Sequence, residues 1–295
     1  MYDIEKFYQA SDVADAIRAL EANPEAVVIS GGSDVLIQIR EGKLAGCSLV
    51  SIHGLKELEG ICMEEDGTIV IGPATVFSHV TNNKLIQTHI PVLGDAVDQV
   101  GGPQIRNIGT IGGNVCNGVT SADSASTLFA LDAVLELTGS KGKRLVPISE
   151  FYTGPGRTVR EHAELLTAIR ISKENYEGFY GHYIKYGKRN AMEIATLGCS
   201  ANVKLSEDKK RVEQLRLAYG VAAPTPIRCR ELEEKAKGME VGPELLELVG
   251  KGALNEVNPR SSWRASKEFR LQLVEELGRR AVALAVEKAG GEINA

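Results

Sequence analysis

Six of the eighteen residues between positions 101 and 118 are glycine: Gly101, Gly102, Gly109, Gly112, Gly113 and Gly118. That is about three times the density in the chain as a whole, where 31 of 295 residues are glycine. Glycine lets successive main-chain N–H groups point into one concavity and lets a ligand reach the backbone without meeting a Cβ. The natural guest of such a loop is a phosphate or pyrophosphate. Gly31-Gly32 offers a second concavity of the same kind. Two such loops suit a long ligand with a pyrophosphate in its middle, a dinucleotide, whereas the competing reading is two tight turns. Thr110, Asn114, Asn117, Ser121 and Asp123 are interleaved with or follow the glycines and can hydrogen-bond hydroxyls and ring heteroatoms, or simply serve as turn residues.

Other chemistries find little support. No G-x-G-x-x-G follows a strand pattern, and the nearest approach to a phosphate-binding G-x-x-x-x-G-K-[ST] loop, over 181–189, has the wrong spacing and lacks the hydroxyl. His53, His79, His89, His162 and His182 show no metal-ligand spacing and read as surface or supporting residues. No serine stands in a G-x-S-x-G elbow. The five cysteines (Cys47, Cys62, Cys116, Cys199, Cys229) are scattered, lack the spacing of a zinc or iron–sulfur loop, and read as reduced thiols. Lys185, Lys188 and Arg189 form a small basic patch, either solvated charge or a contact to a ligand phosphate.

The elements that must position these residues mix α and β. Ser11 stands where a cap would open a helix with Val13, Ala16, Ile17 and Leu20 on one face, ending near Asn23-Pro24. A β-branched run over 26–30 breaks into Gly31-Gly32 and continues over 35–39 as strand or helix. Further strands are expected over 48–52 and 68–71, and helices over 91–100 and 124–133. Periodicity lapses over 173–181, which reads as a linker. Beyond it, 198–205 and 215–220 alternate as antiparallel strands do, Pro224-Thr225-Pro226 breaks the pattern, and three helical stretches follow. The last, over 263–288, carries Phe269, Leu273, Leu277, Ala281 and Leu284 as a packing stripe.

At 295 residues the chain has room for about two domains. Its formal charge of -5 lacks the basic excess that binding nucleic acid requires, and 43% hydrophobic with 25% charged residues is a globular composition. The longest stretch free of charged side chains, 67–83, falls short of the ~20 apolar residues a bilayer needs. With no basic segment leading into an apolar one at the start, the expectation is a cytoplasmic protein that engages neither membrane nor nucleic acid.

The strings Ser30-Gly31-Gly32-Ser33-Asp34-Val35-Leu36 and Ile105-Arg106-Asn107-Ile108-Gly109-Thr110-Ile111-Gly112-Gly113-Asn114, continued to Ser121-Ala122-Asp123, strongly resemble the two FAD signatures of the molybdenum hydroxylase flavoprotein subunits. The resemblance runs along almost the whole chain, through Gly154-Pro155-Gly156 and the segment from Ser261 to Arg270, and is nearest to the xanthine dehydrogenase branch. It implies an α+β fold: a two-part FAD-binding domain of the vanillyl-alcohol oxidase (PCMH) type over 1–175, then a small α+β flavoprotein C-terminal domain over 181–290. Val27, Val28, Ile29, Ser30, Gly31, Gly32, Ser33 and Asp34, with Gly109, Thr110, Ile111, Gly112, Gly113 and Asn114, would wrap the FAD pyrophosphate and ribityl chain. Asn117 and Asp123 would lie beside them, and Leu165, Leu166, Ile184 and Lys185 match positions near the flavin and adenine portions. Val100 stands where some relatives place an aromatic ring against the isoalloxazine.

The implied role is that of an electron-transfer subunit. A molybdopterin chain oxidises the substrate, a chain with two [2Fe–2S] clusters relays electrons, and FAD on this chain collects them and passes hydride to NAD⁺. The assembly would be a heterotrimer that dimerises, acting on purines. No side chain here is expected to act as acid or base, since hydride chemistry belongs to the flavin. Two other readings stand beside it: the flavoprotein of a carbon monoxide, nicotinate or aromatic acyl-CoA system, and a non-enzymatic nucleotide-binding assembly module.

Overall fold

The computed structural model describes residues 2–293. Three strands, β1 (Ile4–Gln9), β2 (Val27–Ile29) and β3 (Cys47–Ser51), pair in parallel in the order β1-β3-β2. Parallel neighbours need crossovers, supplied by helices α1 (Val13–Ala22) and α2 (Val35–Arg40). The run over 35–39 is therefore helix. Ala16, Ile17 and Leu20 of α1 are buried as their spacing predicts. Its cap, however, is Asp12, whose side chain accepts from the Asp15 N–H at 2.7 Å; Ser11 instead donates its own N–H to the Asp15 carboxylate.

A five-stranded antiparallel sheet follows in the order β4-β5-β10-β6-β7, built from β4 (Ile61–Met63), β5 (Ile69–Ile71), β6 (Val134–Gly139), β7 (Gly142–Pro147) and β10 (Leu165–Ile171). Between β5 and β6 run six helices, α3 (Phe77–Asn82), α4 (Lys84–His89), α5 (Pro91–Asp98), α6 (Pro103–Arg106), α7 (Ile111–Cys116) and α8 (Asp123–Ala130). A short α9 (Ile148–Phe151) and the hairpin β8 (Tyr152–Gly154), β9 (Arg157–Thr158) precede β10. One hydrophobic core, including Ile69, Phe77, Leu93, Leu128 and Ile169, fills the space between this sheet and its helices.

The C-terminal part is a four-stranded antiparallel sheet in chain order, β11 (Tyr180–Tyr186), β12 (Leu197–Leu205), β13 (Val212–Gly220) and β14 (Ile227–Arg228), then helices α10 (Arg230–Ala236), α11 (Pro243–Ala253) and α12 (Lys267–Lys288). The antiparallel pair and the three following helices match the sequence pattern. Leu197, Cys199, Ala201 and Val203 face a core shared with α12. The alternate residues Gly198, Ser200 and Asn202 lie against α8, which is buried along its whole length, so β12 is covered on both faces. Small and polar side chains let the two layers approach; the Asn202 amide donates to the Ala130 carbonyl.

The final helix departs from expectation in two ways. It begins at Lys267, capped by Ser266, so Trp263 lies outside it. Its buried face carries Leu273, Leu277 and Ala281, but also Arg270, Val274, Gly278, Val282 and Ala285, while Phe269 and Leu284 are exposed. A 22-residue helix drifts relative to any single i, i+4 row, so both ends of the expected stripe rotate out of the core.

An ion network ties the two parts together. Asp132, just after α8 and in the left-handed region at φ 44°, lies 2.5 Å from Arg228, 3.2 Å from Arg230 and 3.6 Å from Arg216. Arg228 also pairs with Glu233 at 2.8 Å. Burial works to raise the Asp132 carboxyl, and the three guanidiniums overcome it and hold it below the usual range. Asn tolerates the left-handed conformation, so Asp132→Asn isolates the charge. It is expected to cost about 3 kcal/mol in urea unfolding at neutral pH, because Arg216 and Arg228 are left buried with less compensation. A loss under about 0.5 kcal/mol would show that the network is solvated.

Candidate functional site

Val27, Val28 and Ile29 form β2, paired with Leu49, Val50 and Ser51 of β3, and deliver the chain into the bend Ser30-Gly31-Gly32-Ser33 before Asp34 and α2. The two glycine loops touch. A Cβ on Gly31 would fall 1.8 Å from the carbonyl oxygen of Ile108, so main chain packs on main chain between the two segments. Gly32 takes φ +74°, a left-handed conformation open to glycine. Asn117 closes the contact by donating its side-chain amide to Asp34 at 2.6 Å. The crowding removes water from the Asp34 carboxyl and raises it above its ordinary value.

Along this bend the main-chain N–H groups of Gly31, Gly32, Ser33 and Asp34 have no acceptor among the described residues. Ser30 Oγ is buried and likewise without a partner. Four consecutive free donors beside a loop stripped of Cβ atoms make a nest for an anion.

The second loop is held from below. Thr110 caps α7, its hydroxyl accepting from the Gly113 N–H at 3.1 Å. Ile111 donates to Thr75 O, Gly112 donates to Pro73 O at 2.8 Å, and the Gly109 carbonyl accepts from Phe77 N–H. A Cβ on Gly112 would lie 2.3 Å from Pro73 Cβ, so this glycine serves helix packing against the Pro73 turn. Asn114 accepts from Ser124 Oγ at 2.7 Å. Gly118, at φ +70°, accepts from the Gly156 N–H at 3.0 Å, which brings the Gly154-Pro155-Gly156 string against the same loop.

Asp123 and Lys185, sixty-two residues apart, are also brought together. Lys185 Nζ donates to Asp123 Oδ2 at 2.8 Å and to the Gln99 carbonyl at 2.9 Å; Tyr183 donates its hydroxyl to Asp123 Oδ1 at 2.8 Å. Burial raises the Asp123 carboxyl, opposed by Lys185 and Tyr183, and burial pushes the Tyr183 hydroxyl well above its ordinary value. Strand alternation in β11 turns Tyr183 and Lys185 to this face and Ile184 to the C-terminal core. Tyr183 went unnoticed in the sequence, although its place two residues before Lys185 put it on the same face.

Leu165 and Leu166 open β10 with side chains buried in two different cores. They pair with Thr138 and Leu137 of β6, while β5 pairs only with Ile169 to Ile171, so on that side the start of β10 has main chain without a strand partner. Val100 packs at the edge of the large core, its carbonyl accepting from Arg106. The expected basic patch is not one patch: Lys185 turns inward to Asp123, Arg189 pairs with Glu193 at 2.8 Å, and Lys188 lies over the Trp263 ring. Among the described residues, no group of His, Cys, Asp and Glu could hold a metal ion and no helix is long and apolar enough to cross a membrane.

Residues 2–173 match the FAD binding domain in molybdopterin dehydrogenase, and residues 182–285 match the CO dehydrogenase flavoprotein C-terminal domain. The chain is 44% identical over 293 residues to the xanthine dehydrogenase FAD-binding subunit of Escherichia coli O157:H7, covering 99% of this chain and 100% of that one. It is 32% identical over 225 residues to the nicotinate dehydrogenase FAD-subunit of Eubacterium barkeri, covering 75% of each. Among solved structures it superposes on carbon monoxide dehydrogenase from Hydrogenophaga pseudoflava with a TM-score of 0.92 at 25% identity, covering 98% of this chain and 99% of that one. With both parts matched and the likeness to the Escherichia coli subunit running from end to end, the chain belongs to the flavoprotein subunits of the molybdenum hydroxylases, with an FAD-binding domain followed by a flavoprotein C-terminal domain.

Proposed function

We propose that this chain is the FAD-carrying electron-transfer subunit of a xanthine dehydrogenase-like molybdenum hydroxylase. In this reading it takes electrons from the [2Fe–2S] clusters of one partner chain while a molybdopterin chain oxidises a purine, hypoxanthine or xanthine, and it delivers hydride to NAD⁺. The observation that carries the reading is the 44% identity over the whole chain to a xanthine dehydrogenase FAD-binding subunit, joined to a glycine cradle with four free N–H donors. We place the domains at 1–175 and 181–290, the three chains in a heterotrimer that dimerises, and the complex in the cytoplasm.

The residues fit the cofactor. Gly31, Gly32, Ser33 and Asp34 offer main-chain N–H groups to its pyrophosphate, and Ser30 Oγ is a buried hydroxyl awaiting a partner. Gly109, Thr110, Ile111, Gly112, Gly113 and Asn114 form the facing wall, which Thr110 and Pro73 hold in place. Asn117 fixes Asp34 across the two loops. The free edge at Leu165 and Leu166 offers main-chain groups to a purine ring, and Lys185 with Asp123 sets a polar, charge-balanced boundary where the second domain meets the first. Bound FAD supplies the one- and two-electron chemistry, and the protein supplies position and electrostatics.

The purified chain is expected to show flavin absorbance, and NADH added without oxygen should bleach it. Bands that persist under NADH would assign the acceptor elsewhere. A chain that stays colourless after incubation with FAD would favour the nucleotide-binding assembly module instead.

A further inference from the structure

A cavity of about 560 Å³ opens at the junction of the two parts. The β4–β5 turn over 63–67, the corner between α4 and α5 over 88–92, the segment over 173–181, Asn202 of β12 and Lys288 of α12 line it. None of the cradle residues 30–34 and 109–114 is among them. Its size falls within the roughly 300–1,000 Å³ that small-molecule sites occupy, and such sites concentrate where domains meet. The walls are tied to one another. Tyr176 donates its hydroxyl to the Gly67 carbonyl at 2.6 Å, Lys288 Nζ donates to the Gly181 carbonyl at 3.1 Å, and a Cβ on Gly67 would fall 2.9 Å from the Lys173 side chain.

Aromatic rings and acceptors dominate the lining. His89 and Tyr176 pack with ring centres 5.5 Å apart, Phe179 backs onto the Arg216 guanidinium at 4.5 Å, and Tyr180 is 46% exposed. Asn202, 1% exposed, is the most deeply buried polar side chain of the lining, and its side-chain oxygen has no hydrogen-bond partner. A buried acceptor left unmet carries a desolvation cost that a ligand's N–H would offset. The cations of the lining are already engaged, Lys173 with Glu177 at 3.0 Å and Lys288 with Asp95 at 3.5 Å, and Arg170 holds Glu64. Glu65 and Asp66 have no cationic partner among the described residues. The Thr68 N–H donates to Asp66 at 2.8 Å and holds its carboxyl below the usual range, so the negative charge persists.

We propose that this cavity binds a small flat cation, an aryl amidine or a protonated aminoheterocycle, whose ring lies among the aromatic side chains and whose N–H groups meet Asn202 and the carboxylates. Charge and donor type select this class. Two uncompensated carboxylates and an unmet acceptor repel a phosphate or carboxylate ligand, and an aromatic wall favours a flat cation through its ring faces. The site is separate from the glycine cradle and does not depend on the functional reading above. Its lining comes from both parts and from the segment that joins them. Occupancy therefore ties the parts together and stabilises the folded chain by mass action.

In the test, the whole chain saturated with FAD is titrated calorimetrically with benzamidine and with benzoate. The two share a shape, but one carries N–H donors with a positive charge and the other acceptors with a negative charge. Benzamidine should bind once per chain with a dissociation constant on the order of 0.1–1 mM, and benzoate at least ~10-fold more weakly. The benzamidine affinity should fall with added salt. Glu65→Lys and Tyr180→Ala, both at exposed positions, should each weaken benzamidine about 5-fold and leave the urea midpoint of the chain without benzamidine unchanged. Hydrogen exchange under saturating benzamidine should slow over 63–67 and 173–181 and stay unchanged over 31–34 and 109–114. Benzoate bound as tightly as benzamidine, no saturable binding of benzamidine, variants that bind as wild type does, or protection confined to the cradle would each overturn the proposal. A chain that stays colourless is titrated in the same way, so failure of the flavin reading leaves this test standing.

Discussion

Gly31→Ala is expected to yield a chain that purifies without flavin absorbance and unfolds at markedly lower urea, with a loss of about 3 kcal/mol or more. The added methyl group would stand 1.8 Å from the carbonyl oxygen of Ile108, 2.7 Å from its carbon and 3.2 Å from Gly109 Cα. These are backbone atoms of the other loop, fixed by the Gly109 carbonyl's bond from Phe77 N–H and by the Thr110 cap behind it. No rotamer change relieves the clash. The loops must part, and parting them stretches the 2.6 Å bond from Asn117 to Asp34 and opens the row of N–H groups proposed to hold the pyrophosphate. Gly242→Ala is the control: a Cβ there meets nothing within 4 Å and the backbone is extended, so only the weaker capping of α11 by alanine is felt, about 1 kcal/mol or less, with flavin retained. If Gly31→Ala keeps FAD and matches the control in urea, the two loops do not form one cradle.

Lys185→Met should cost about 3–5 kcal/mol at mildly alkaline pH, with the deficit shrinking on acidification. Methionine preserves most of the aliphatic stem but removes the cation 2.8 Å from Asp123 Oδ2, leaving the carboxylate, 7% exposed, with only the Tyr183 hydroxyl. In the wild type burial already raises the Asp123 carboxyl and Lys185 opposes the rise. Without the lysine the folded carboxyl rises further, while in the unfolded chain it stays near ~3.9. Between those two values the native state binds a proton that the unfolded state does not. Stability therefore falls as pH rises through that window and levels off above it. Below the window the carboxyl is neutral in both states, and only the lost hydrogen bonds of Lys185 to Asp123 and Gln99 remain. Adding Asp123→Asn to Lys185→Met should recover much of the loss at high pH, because no buried charge is left. Urea unfolding across the pH range decides the matter: a deficit independent of pH, or one that grows on acidification, would mean that the pair is solvated.

Much of the local structure was written in residue spacing. The face of α1 formed by Ala16, Ile17 and Leu20, the antiparallel pair β12 and β13, and the three closing helices follow from periods of 3.6 and 2 that neighbouring residues alone establish. The two glycine signatures were visible as strings, because a loop that must admit a ligand to its main chain has to exclude Cβ atoms whatever surrounds it. The family followed from those strings.

Tertiary structure decided what the strings touch. Nothing near Gly31 indicates that Ile108 will lie against it, and nothing near Gly112 indicates Pro73; each close approach depends on how the intervening chain folds. The pairing of Asp123 with Lys185 lies across the junction between the two sheets and their helices, where periodicity carries no information about partners. The same holds for Arg270, which occupies a buried turn of α12 that the apolar row from Phe269 to Leu284 misplaced, and whose acceptors come from two separate segments, at Thr196 and at Arg260 with Ser262. Spacing specifies which face of an element turns inward, and the identity of the facing atoms is specified only when the layers assemble.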